Sequence, residues 1–353
     1  MKRIGNIFTK IITFDNLVLA DKKARLGKTK KYGVRKFDED PYNKLLALQK
    51  SLIEDTYRTS EYTIYTIIAD RGNKEREIYR LPYYPDRIVQ HAIMNIIEPY
   101  LVKRFTADTF SCIKKRGIHY GVRRLKKALK KDKDGTKYCL KLDIKKFFPS
   151  VNQDILYKQF CKIFKDRKLL NLLHHVIYSV PNGLPIGNYI SQFAANLYLS
   201  WFDKWIKQDL KVKYYYRYCD DIVILHSNKE DLRVFLDKIK KYLHDNLLLK
   251  VKENWQIFPV DARGIDFIGY IFYHGYTLLR KDIKKKFIHK LKYKSVNKKL
   301  KSISSYWGWC KYGNCHNLWH NLTNSHKYDE YKNKLLSYVK FRESARRQHA
   351  SDN

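Results

Sequence analysis

The sequence is short of acidic residues: 35 Asp and Glu stand against 72 Lys and Arg among its 353 residues. The resulting net charge of +37 favours a polyanionic partner, because a compact chain with that charge repels itself. Nucleic acid is the first candidate for this partner, and an anionic membrane surface is the second. Long apolar runs are also missing: no window reaches the roughly 18 consecutive apolar residues of a transmembrane helix.

Cysteine, glycine and proline are scarce as well, with 6, 14 and 8 residues. The six cysteines are scattered along the chain, which is typical of a reducing cytosol and argues against a disulfide framework. The N-terminal residues lack the apolar core and the small-residue cleavage site of a signal peptide. We therefore expect a cytoplasmic protein that does not associate with a membrane.

Hydrophobic residues make up 44% of the chain and aromatic residues 15%, which excludes a disordered basic tail. Strands are predicted over Tyr62–Ile68, Glu77–Leu81 and Tyr138–Ile144, and within a hairpin over Lys213–His226. Helices are predicted over residues 41–57, 86–104, 120–131, 152–164 and 229–244, from Gly187-Asn188 onward, and through residues 280–353. The opening thirty or so residues, which end in the basic run Lys22–Lys36, are expected to form an irregular arm.

Three carboxylates occur in an apolar β-strand context: Asp143 at the end of one strand, and Asp220 with Asp221 at the tip of a hairpin. Like charges at neighbouring strand ends repel one another, so such a cluster is unfavourable unless cations lie between them. Oxygen ligands of this kind suit Mg²⁺. A pair of such ions can hold both the attacking and the leaving oxygen of an in-line phosphoryl displacement. A single Asp-Asp pair is more often an ordinary turn.

Segments spread along the chain resemble, in order, the motifs of reverse transcriptases. Residues 75–82 and 86–92 resemble the fingers motifs, and residues 264–270 resemble the strand that leads into the thumb. Leu140–Pro149 resembles the first catalytic motif, and Tyr218-Cys219-Asp220-Asp221 resembles the Tyr-x-Asp-Asp hairpin. Gly183–Gln192 is similar to the motif that contacts template and nucleotide.

The resemblance implies a role for each matched residue at the centre of the site. Asp143 and Asp220 would ligate two Mg²⁺ ions, with Mn²⁺ as the alternative metal, and the backbone carbonyl of Ile144 would assist them. Asp221 would support the site from its periphery. Phe148 would stack beneath the incoming sugar and exclude a ribose 2′-hydroxyl; the alternative for this residue is a buried core aromatic.

The resemblance also implies contacts to nucleotide and nucleic acid. Arg76, together with Arg71 or Lys74, would bind the triphosphate, and the alternative is a solvated basic loop. Ile186 would lie beside the nascent base pair, and Gly187 would let the backbone approach the template or the nucleotide closely. The residues expected to contact template or primer are Tyr218, Ser191, Gln192, Lys284 and Lys285.

The implied fold is an α+β right-hand polymerase. An N-terminal arm and fingers would occupy residues 1–130, and a palm with an antiparallel sheet would occupy residues 131–278. A basic helical thumb and tail would follow over residues 279–353. The implied activity is that of an RNA-directed DNA polymerase, which makes cDNA from template RNA and dNTPs.

The middle motif favours one branch of the family. Most reverse transcriptases have Gln-Gly-x-x-x-Ser-Pro here, whereas this chain has Ile186-Gly187-Asn-Tyr-Ile-Ser191-Gln192. The change resembles the error-prone enzymes of diversity-generating retroelements, whose expected partners are a small basic accessory protein or a structured noncoding RNA. The reverse transcriptases of prokaryotic anti-phage systems are the alternative. A non-catalytic RNA-binding or maturase-like protein is the alternative from a different class.

Two further features of the sequence have more than one interpretation. Relatives often carry a lysine, suggested as a general acid, where this chain has Asn254 and Trp255; Lys252 or Lys250 could replace it. Near the C-terminal end, two cysteines and two histidines could be read as a zinc site, but their spacing and the surrounding tryptophans favour helix packing. These four residues are Cys310, Cys315, His316 and His320.

Overall fold

A computed structural model describes residues 2–69, 74–292 and 295–323 of the chain. Its helices are α1 (Phe8–Ile11), α2 (Phe14–Ala24), α3 (Tyr32–Asp38), α4 (Pro41–Ile53), α5 (Ile88–Val102), α6 (Ile118–Lys131), α7 (Phe147–Ser150), α8 (Gln153–Ile163), α9 (Arg167–Ile177), α10 (Tyr189–Tyr198), α11 (Ser200–Gln208), α12 (Lys229–Leu247), α13 (Val260–Arg263), α14 (Lys281–Leu291), α15 (Val296–Cys310) and α16 (His316–Thr323). Its strands are β1 (Thr63–Ala69), β2 (Lys74–Arg80), β3 (Tyr138–Asp143), β4 (Tyr214–Tyr218), β5 (Asp221–His226), β6 (Gln256–Pro259), β7 (Ile265–Phe267), β8 (Tyr270–Phe272) and β9 (Thr277–Leu279).

The strands form three sheets. β1 and β2 make an antiparallel two-stranded ribbon, in which Thr63 lies opposite Arg80. A four-stranded sheet has the order β4-β5-β3-β6, and β6 runs antiparallel to β3 with Pro259 opposite Tyr138. β7, β8 and β9 follow one another in a small antiparallel sheet. The predicted hairpins and the strand that ends in Asp143 are thereby confirmed.

The chain divides into two compact units. The first unit lies within residues 1–114, 142–222 and 234–255, and the second within residues 115–141, 223–233 and 256–353. In the first unit α5 is the central helix, and it packs against α1, α2 and α10. In the second unit α14 packs against α15, where the ring of Phe287 stacks on that of Tyr306 at 4.5 Å.

The N-terminal residues are ordered helices, so the expectation of an irregular arm was wrong. The side chain of Thr13 caps α2 by accepting a hydrogen bond from the backbone N–H of Asn16 at 3.3 Å. Leu17 and Ala20 face inward and are fully buried. The Asn16 amide donates to the carbonyls of Ile11 and Ala92 at 2.8 and 3.1 Å, which fastens α2 to α5. The lysines at the end of α2 hid this inward face in the sequence.

Asp166 ties the start of the chain to the rest of the first unit. One carboxylate oxygen accepts from the backbone N–H groups of Ile7 and Phe8, both at 2.9 Å, and the other caps α9 through Leu169. Ile4 also donates to the carbonyl of Ile163 at 2.8 Å. One acidic side chain thus accepts hydrogen bonds from N–H groups at the starts of two helices, which have no acceptor within their own helix.

The predicted helix that begins after Asn152 is confirmed as α8. The Asn152 side chain caps it by accepting a hydrogen bond from the N–H of Ile155 at 2.9 Å. The helix expected after Gly187-Asn188 is α10, which begins at Tyr189. No described helix combines the length and the apolar character needed to cross a membrane.

Candidate active site

Three carboxylates meet at one end of the four-stranded sheet, in the first unit. Asp143 is the last residue of β3, and Asp221 is the first residue of the neighbouring β5. Asp220 lies in the turn between β4 and β5 and interacts directly with Asp143. All three side chains are half-buried. The structure therefore brings Asp143 and Asp220 together and places Asp221 at the start of the strand beside β3.

The carboxyl groups of Asp143 and Asp220 are close enough to perturb each other. Burial, and after it the negative charge of Asp143, raises the pKa of Asp220 to about 6. Lys252 acts in the opposite direction: its ammonium forms an ion pair with Oδ2 of Asp143 and lowers the pKa of Asp220. One ammonium does not balance the neighbouring carboxylates, so the site favours an additional cation.

Main-chain pairing holds Lys252 beside Asp143. The N–H of Lys252 donates to the carbonyl of Asp143, and the N–H of Lys145 donates to the carbonyl of Lys250, both at 2.8 Å. The sequence left Lys252 and Lys250 as equal candidates near the site. The structure places the ammonium of Lys252 on the carboxylate and leaves the Lys250 side chain exposed.

The donor set fits a divalent cation. Oδ1 of Asp143 is buried and accepts no hydrogen bond from the described residues, so a hard cation would satisfy it. Ile144, the next residue, is fully buried and fixed by an antiparallel bridge to Val251. Within the described ranges, no three His, Cys, Asp or Glu side chains form a complete ligand group. A pair of carboxylates completed by water and substrate phosphate is the pattern that Mg²⁺ prefers.

A fully buried ion pair lies beneath the turn that carries Asp220. Nε and Nη2 of Arg217 donate to the two carboxylate oxygens of Asp203 on α11, at 2.7 and 2.6 Å. Burial would lower the pKa of Arg217, but the charge of Asp203 raises it above its ordinary value. The hydroxyls of Tyr215 and Thr109 donate to the same carboxylate at 2.5 and 3.0 Å. Asp203 therefore holds the guanidinium in one orientation.

The same guanidinium reaches the carboxylate turn, by which we mean Tyr218–Asp221. Nη1 of Arg217 donates to the carbonyl of Cys219 at 2.9 Å and to Oδ1 of Asn196 at 3.2 Å. Cys219 has a left-handed backbone, with φ 58°. Arg217 was not predicted from the sequence, although a single arginine within an aromatic and apolar strand is a signal that could have found it.

The segment around Gly187 is fixed to the β1–β2 ribbon. The N–H of Tyr79 donates to the carbonyl of Ile186 at 2.8 Å. Gly187 has φ 130°, and a Cβ at this position would collide with the carbonyl oxygen of Tyr79. One reason for glycine here is therefore the close approach of β2.

Phe148 lies in the short helix α7 and is half-buried. Its ring packs edge-on against that of Phe147 at 5.7 Å, and its carbonyl accepts from the N–H of Leu184 at 2.8 Å. The segment before Leu184 is held by the side-chain amide of Gln153, which donates to three carbonyls at 3.0 to 3.1 Å. These carbonyls belong to Ile177, Val180 and Gly183.

A basic cavity of about 220 Å³ opens beside Gly187 in the first unit. Lys28, Arg87 and the exposed Gln192 are among the residues that line it. The ring of His91 stacks on that of Tyr189 at 4.3 Å. Burial, and then the charges of nearby lysines and Arg87, lowers the pKa of His91 to about 4. The cavity therefore offers positive charge beside a neutral imidazole.

The other residues implied by the resemblance are spread more widely. Ser191 is buried, so Gln192 is the accessible side chain of the pair. Tyr218 is half-buried, and Arg76 is exposed on β2. Lys284 and Lys285 are exposed on α14 in the second unit. Arg71 lies outside the described residues, and so does the side chain of Lys74.

The Cys310 and Cys315 thiols are buried and hydrogen-bond to each other. Over the part of the chain that the structure describes, no metal-ligand group of three forms around them.

Comparison with solved structures identifies the class of fold. The apo telomerase of Candida tropicalis matches with a TM-score of 0.53 and 13% identity, over 70% of this chain and 52% of that one. The telomerase of Candida albicans in complex with a fragment of telomeric RNA matches with a TM-score of 0.52 and 11% identity, over 81% and 61%. The fold is thus the α+β polymerase fold with antiparallel sheets.

The family follows from the sequence model for reverse transcriptase (RNA-dependent DNA polymerase), which matches residues 68–272. This chain belongs to the reverse transcriptase family, whose members generally use divalent metal ions.

Curated relatives come from bacteria. The group II intron-encoded protein LtrA of Lactococcus lactis is 20% identical over 307 residues, which cover 66% of this chain and 50% of that protein. The retron Ec73 reverse transcriptase of Escherichia coli is 26% identical over 212 residues, which cover 56% and 64%. This chain therefore spans about half of LtrA and less than two thirds of the retron enzyme.

The contact between Gly187 and Tyr79 yields a first prediction. Gly187→Ala should lower the free energy of unfolding by about 1–3 kcal/mol, because the new Cβ meets backbone and the positive φ becomes strained. Urea unfolding measures this difference. The matched control is Gly275→Ala, where an added Cβ meets nothing within 4 Å. Equal losses of unfolding free energy in Gly187→Ala and Gly275→Ala would contradict the close approach of Tyr79 as the reason for glycine at position 187.

Proposed function

We propose that this chain is an RNA-directed DNA polymerase that extends a primer along an RNA template. In the reaction, the primer 3′-hydroxyl attacks the α-phosphate of a dNTP and pyrophosphate leaves. The observation that carries the proposal is the close approach of the Asp143 and Asp220 carboxylates. Oδ1 of Asp143 is buried and has no hydrogen-bond partner among the described residues, so a cation would satisfy it. Membership of the reverse transcriptase family supports it.

Each acidic residue has a distinct part in this proposal. Asp143 and Asp220 hold the divalent ions, with the carbonyl of Ile144 as a further oxygen ligand, while Asp221 supports the site at the start of β5. We propose two Mg²⁺ ions, which Mn²⁺ can replace. When bound, the ions supply charge stabilisation for the attacking and leaving oxygens.

Nucleotide contacts are proposed around α7 and the β1–β2 ribbon. Phe148 lies under the sugar of the incoming dNTP, and Ile186 and Gly187 border the nascent base pair. Arg76, with Arg71 or Lys74 from the same hairpin, binds the triphosphate through charge-assisted hydrogen bonds. The hydrogen bond between Tyr79 and Ile186 supports this grouping, because it joins the ribbon to the nucleotide segment.

Template and primer contacts are proposed for two basic regions. The cavity beside Gly187 carries Lys28, Arg87 and Gln192, a suitable lining for the phosphates and bases of a template. Tyr218 and Ser191 belong to the turn and the helix that border the primer end. Lys284 and Lys285 on α14 supply an exposed basic face for the duplex.

We assign fingers to residues 1–130, the palm to residues 131–278 and the thumb with its tail to residues 279–353. The proposed partners are template RNA, the cDNA product, dNTPs and either a small basic accessory protein or a structured noncoding RNA. The proposed setting is the prokaryotic cytoplasm.

Primer extension tests the proposed activity. On poly(rA) with an oligo(dT) primer, dTTP and Mg²⁺, we expect extension by the wild type and a loss of at least about a hundredfold in Asp220→Ala. The matched control is Asp237→Ala, which removes an exposed carboxylate on α12 and should extend normally. A wild type that binds RNA and extends no primer would instead support the non-catalytic, maturase-like alternative.

Lys252 is the proposed proton donor to the leaving pyrophosphate, because its ammonium already lies at the carboxylate pair. Lys252→Ala should lower the single-turnover rate by roughly a hundredfold, the usual contribution of a positioned acid. Lys252→Arg should not restore the rate, since a guanidinium does not give up its proton. Lys250→Ala is the matched control. A wild-type single-turnover rate in Lys252→Arg would show that Lys252 contributes its positive charge and does not donate a proton.

Within the family, we propose the error-prone enzyme of a diversity-generating retroelement. The support is Ile186, which stands where most reverse transcriptases have a glutamine, so that a hydrogen-bonding side chain is missing near the nascent pair. The alternative is an anti-phage reverse transcriptase. RNA that co-purifies with the protein separates the two, because diversity generation requires an adenine-bearing repeat template.

Ile186→Gln tests the fidelity argument. We expect about 2- to 10-fold fewer errors opposite adenine, the worth of one hydrogen bond. Sequencing of cDNA made by the wild type and the variant measures the error spectrum, and Ile186→Val, which adds no hydrogen-bonding group, should match the wild type. Identical spectra for Ile186→Gln and the wild type would rule out this residue as the source of infidelity.

A further inference from the structure

One buried, fully hydrogen-bonded ion pair in the first unit is not used directly by the proposed chemistry. Both side chains of the Arg217–Asp203 pair have no exposed surface, and they are joined by two parallel hydrogen bonds. Beneath the pair, backbone hydrogen bonds fix β4: the N–H of Arg217 donates to Asp108 at 2.9 Å, and its carbonyl accepts from Phe110 at 3.0 Å. Arg217 is therefore fixed at both its backbone and its guanidinium.

Stability alone gives little reason to bury such a pair. Removing two charges from water is so unfavourable that well-packed apolar residues of similar volume often stabilise a protein as much or more. A buried arginine is more informative as a source of geometry, because its planar guanidinium offers donors at fixed angles. The group that Arg217 orients is therefore to be found among its hydrogen-bond acceptors.

The acceptor that stands out is the carbonyl of Cys219, at 2.9 Å from Nη1. This carbonyl belongs to the peptide bond that joins Cys219 to Asp220, so its orientation sets the direction in which the Asp220 side chain leaves the backbone. Cys219 is left-handed, a conformation that is unfavourable for a residue other than glycine and that persists only where its surroundings hold it. Asn196 keeps the donor in place through a second bond from Nη1 at 3.2 Å. Asn196 is itself fixed by donating to the carbonyl of Ser111 at 2.8 Å.

We infer that Arg217 is a positioning residue for the metal site: held by Asp203 and Asn196, its guanidinium fixes the Cys219 carbonyl and so aims the Asp220 carboxylate at Asp143. The inference rests on the proposed function, because it assigns Asp220 to a metal ion. It adds a residue that contacts neither nucleotide nor metal. Outer residues that orient metal ligands commonly contribute 10- to 100-fold in metal affinity or activity, about the range expected here.

The test compares Arg217→Lys with the wild type. Lysine keeps the positive charge beside Asp203 and loses the planar fork that also reaches Cys219. We expect Mn²⁺ binding, measured by electron paramagnetic resonance of free Mn²⁺, to weaken about 10- to 100-fold. At a fixed, subsaturating Mg²⁺ concentration the single-turnover rate of primer extension should fall similarly, because the site then binds its metal more weakly.

Tyr198→Phe is the matched control for a general loss of stability. It removes two hydrogen bonds outside the Arg217 network: the Tyr198 hydroxyl donates to the carbonyl of Leu247 at 2.6 Å and accepts from the backbone N–H of Asn152 at 3.3 Å. Its thermal unfolding temperature should fall, while its Mn²⁺ affinity remains that of the wild type. Equal loss of Mn²⁺ affinity in Tyr198→Phe and Arg217→Lys, or wild-type affinity in folded Arg217→Lys, overturns the inference.

If Arg217→Lys does not fold, Tyr215→Phe provides the second variant, because it removes only the hydroxyl that donates to Asp203. Loosening Asp203 in this way should weaken Mn²⁺ binding about 2- to 10-fold. Unchanged affinity in this variant overturns the inference. A wild type that binds Mn²⁺ and extends no primer refutes the polymerase proposal and leaves the inference about Arg217 intact. The Mn²⁺ affinities of the variants then still test that inference.

Discussion

Two carboxylates held side by side in a partly buried site repel each other, and much of the first unit is arranged to keep Asp143 and Asp220 in that position. Burial, and after it the charge of Asp143, raises the pKa of Asp220 and so disfavours its ionised form. Lys252 relieves part of this repulsion through its ion pair with Asp143. A divalent cation bound between the two carboxylates would relieve the rest.

Each carboxylate is held by a different kind of support. Asp143 ends a strand whose extension is hydrogen-bonded to the segment that carries Lys252. Asp220 lies in a turn with a left-handed residue, and a buried arginine holds that turn from below. The segment at Ile186 and Gly187 is joined to the β1–β2 ribbon by a backbone hydrogen bond and by a contact that only glycine allows. The carboxylate pair and the segment at Ile186 and Gly187 thus depend on backbone geometry set by residues outside both of them.

Much of this could be predicted where the sequence signal was local. The strand that ends in Asp143, the hairpin around Asp220 and the cap at Asn152 all depend on alternation, turn residues and capping groups within a few positions. Helix α2 was missed because its lysines conceal a narrow buried face, and only packing against α5 reveals that face. Arg217 was missed for a similar reason: its partner Asp203 is 14 residues away on α11, and no local pattern links the two.

By itself, the sequence determined the family, the α+β class and the three acidic residues, because each of these is written in short motifs and in side-chain type. It also determined the excess of positive charge that an RNA template would neutralise. Only the tertiary structure decided that Lys252 rather than Lys250 contacts the carboxylates, that Gly187 is required by the approach of Tyr79, and that Arg217 supports the turn before Asp220. These relations depend on distances between segments far apart in the chain, and such distances are set by packing rather than by any local run of residues.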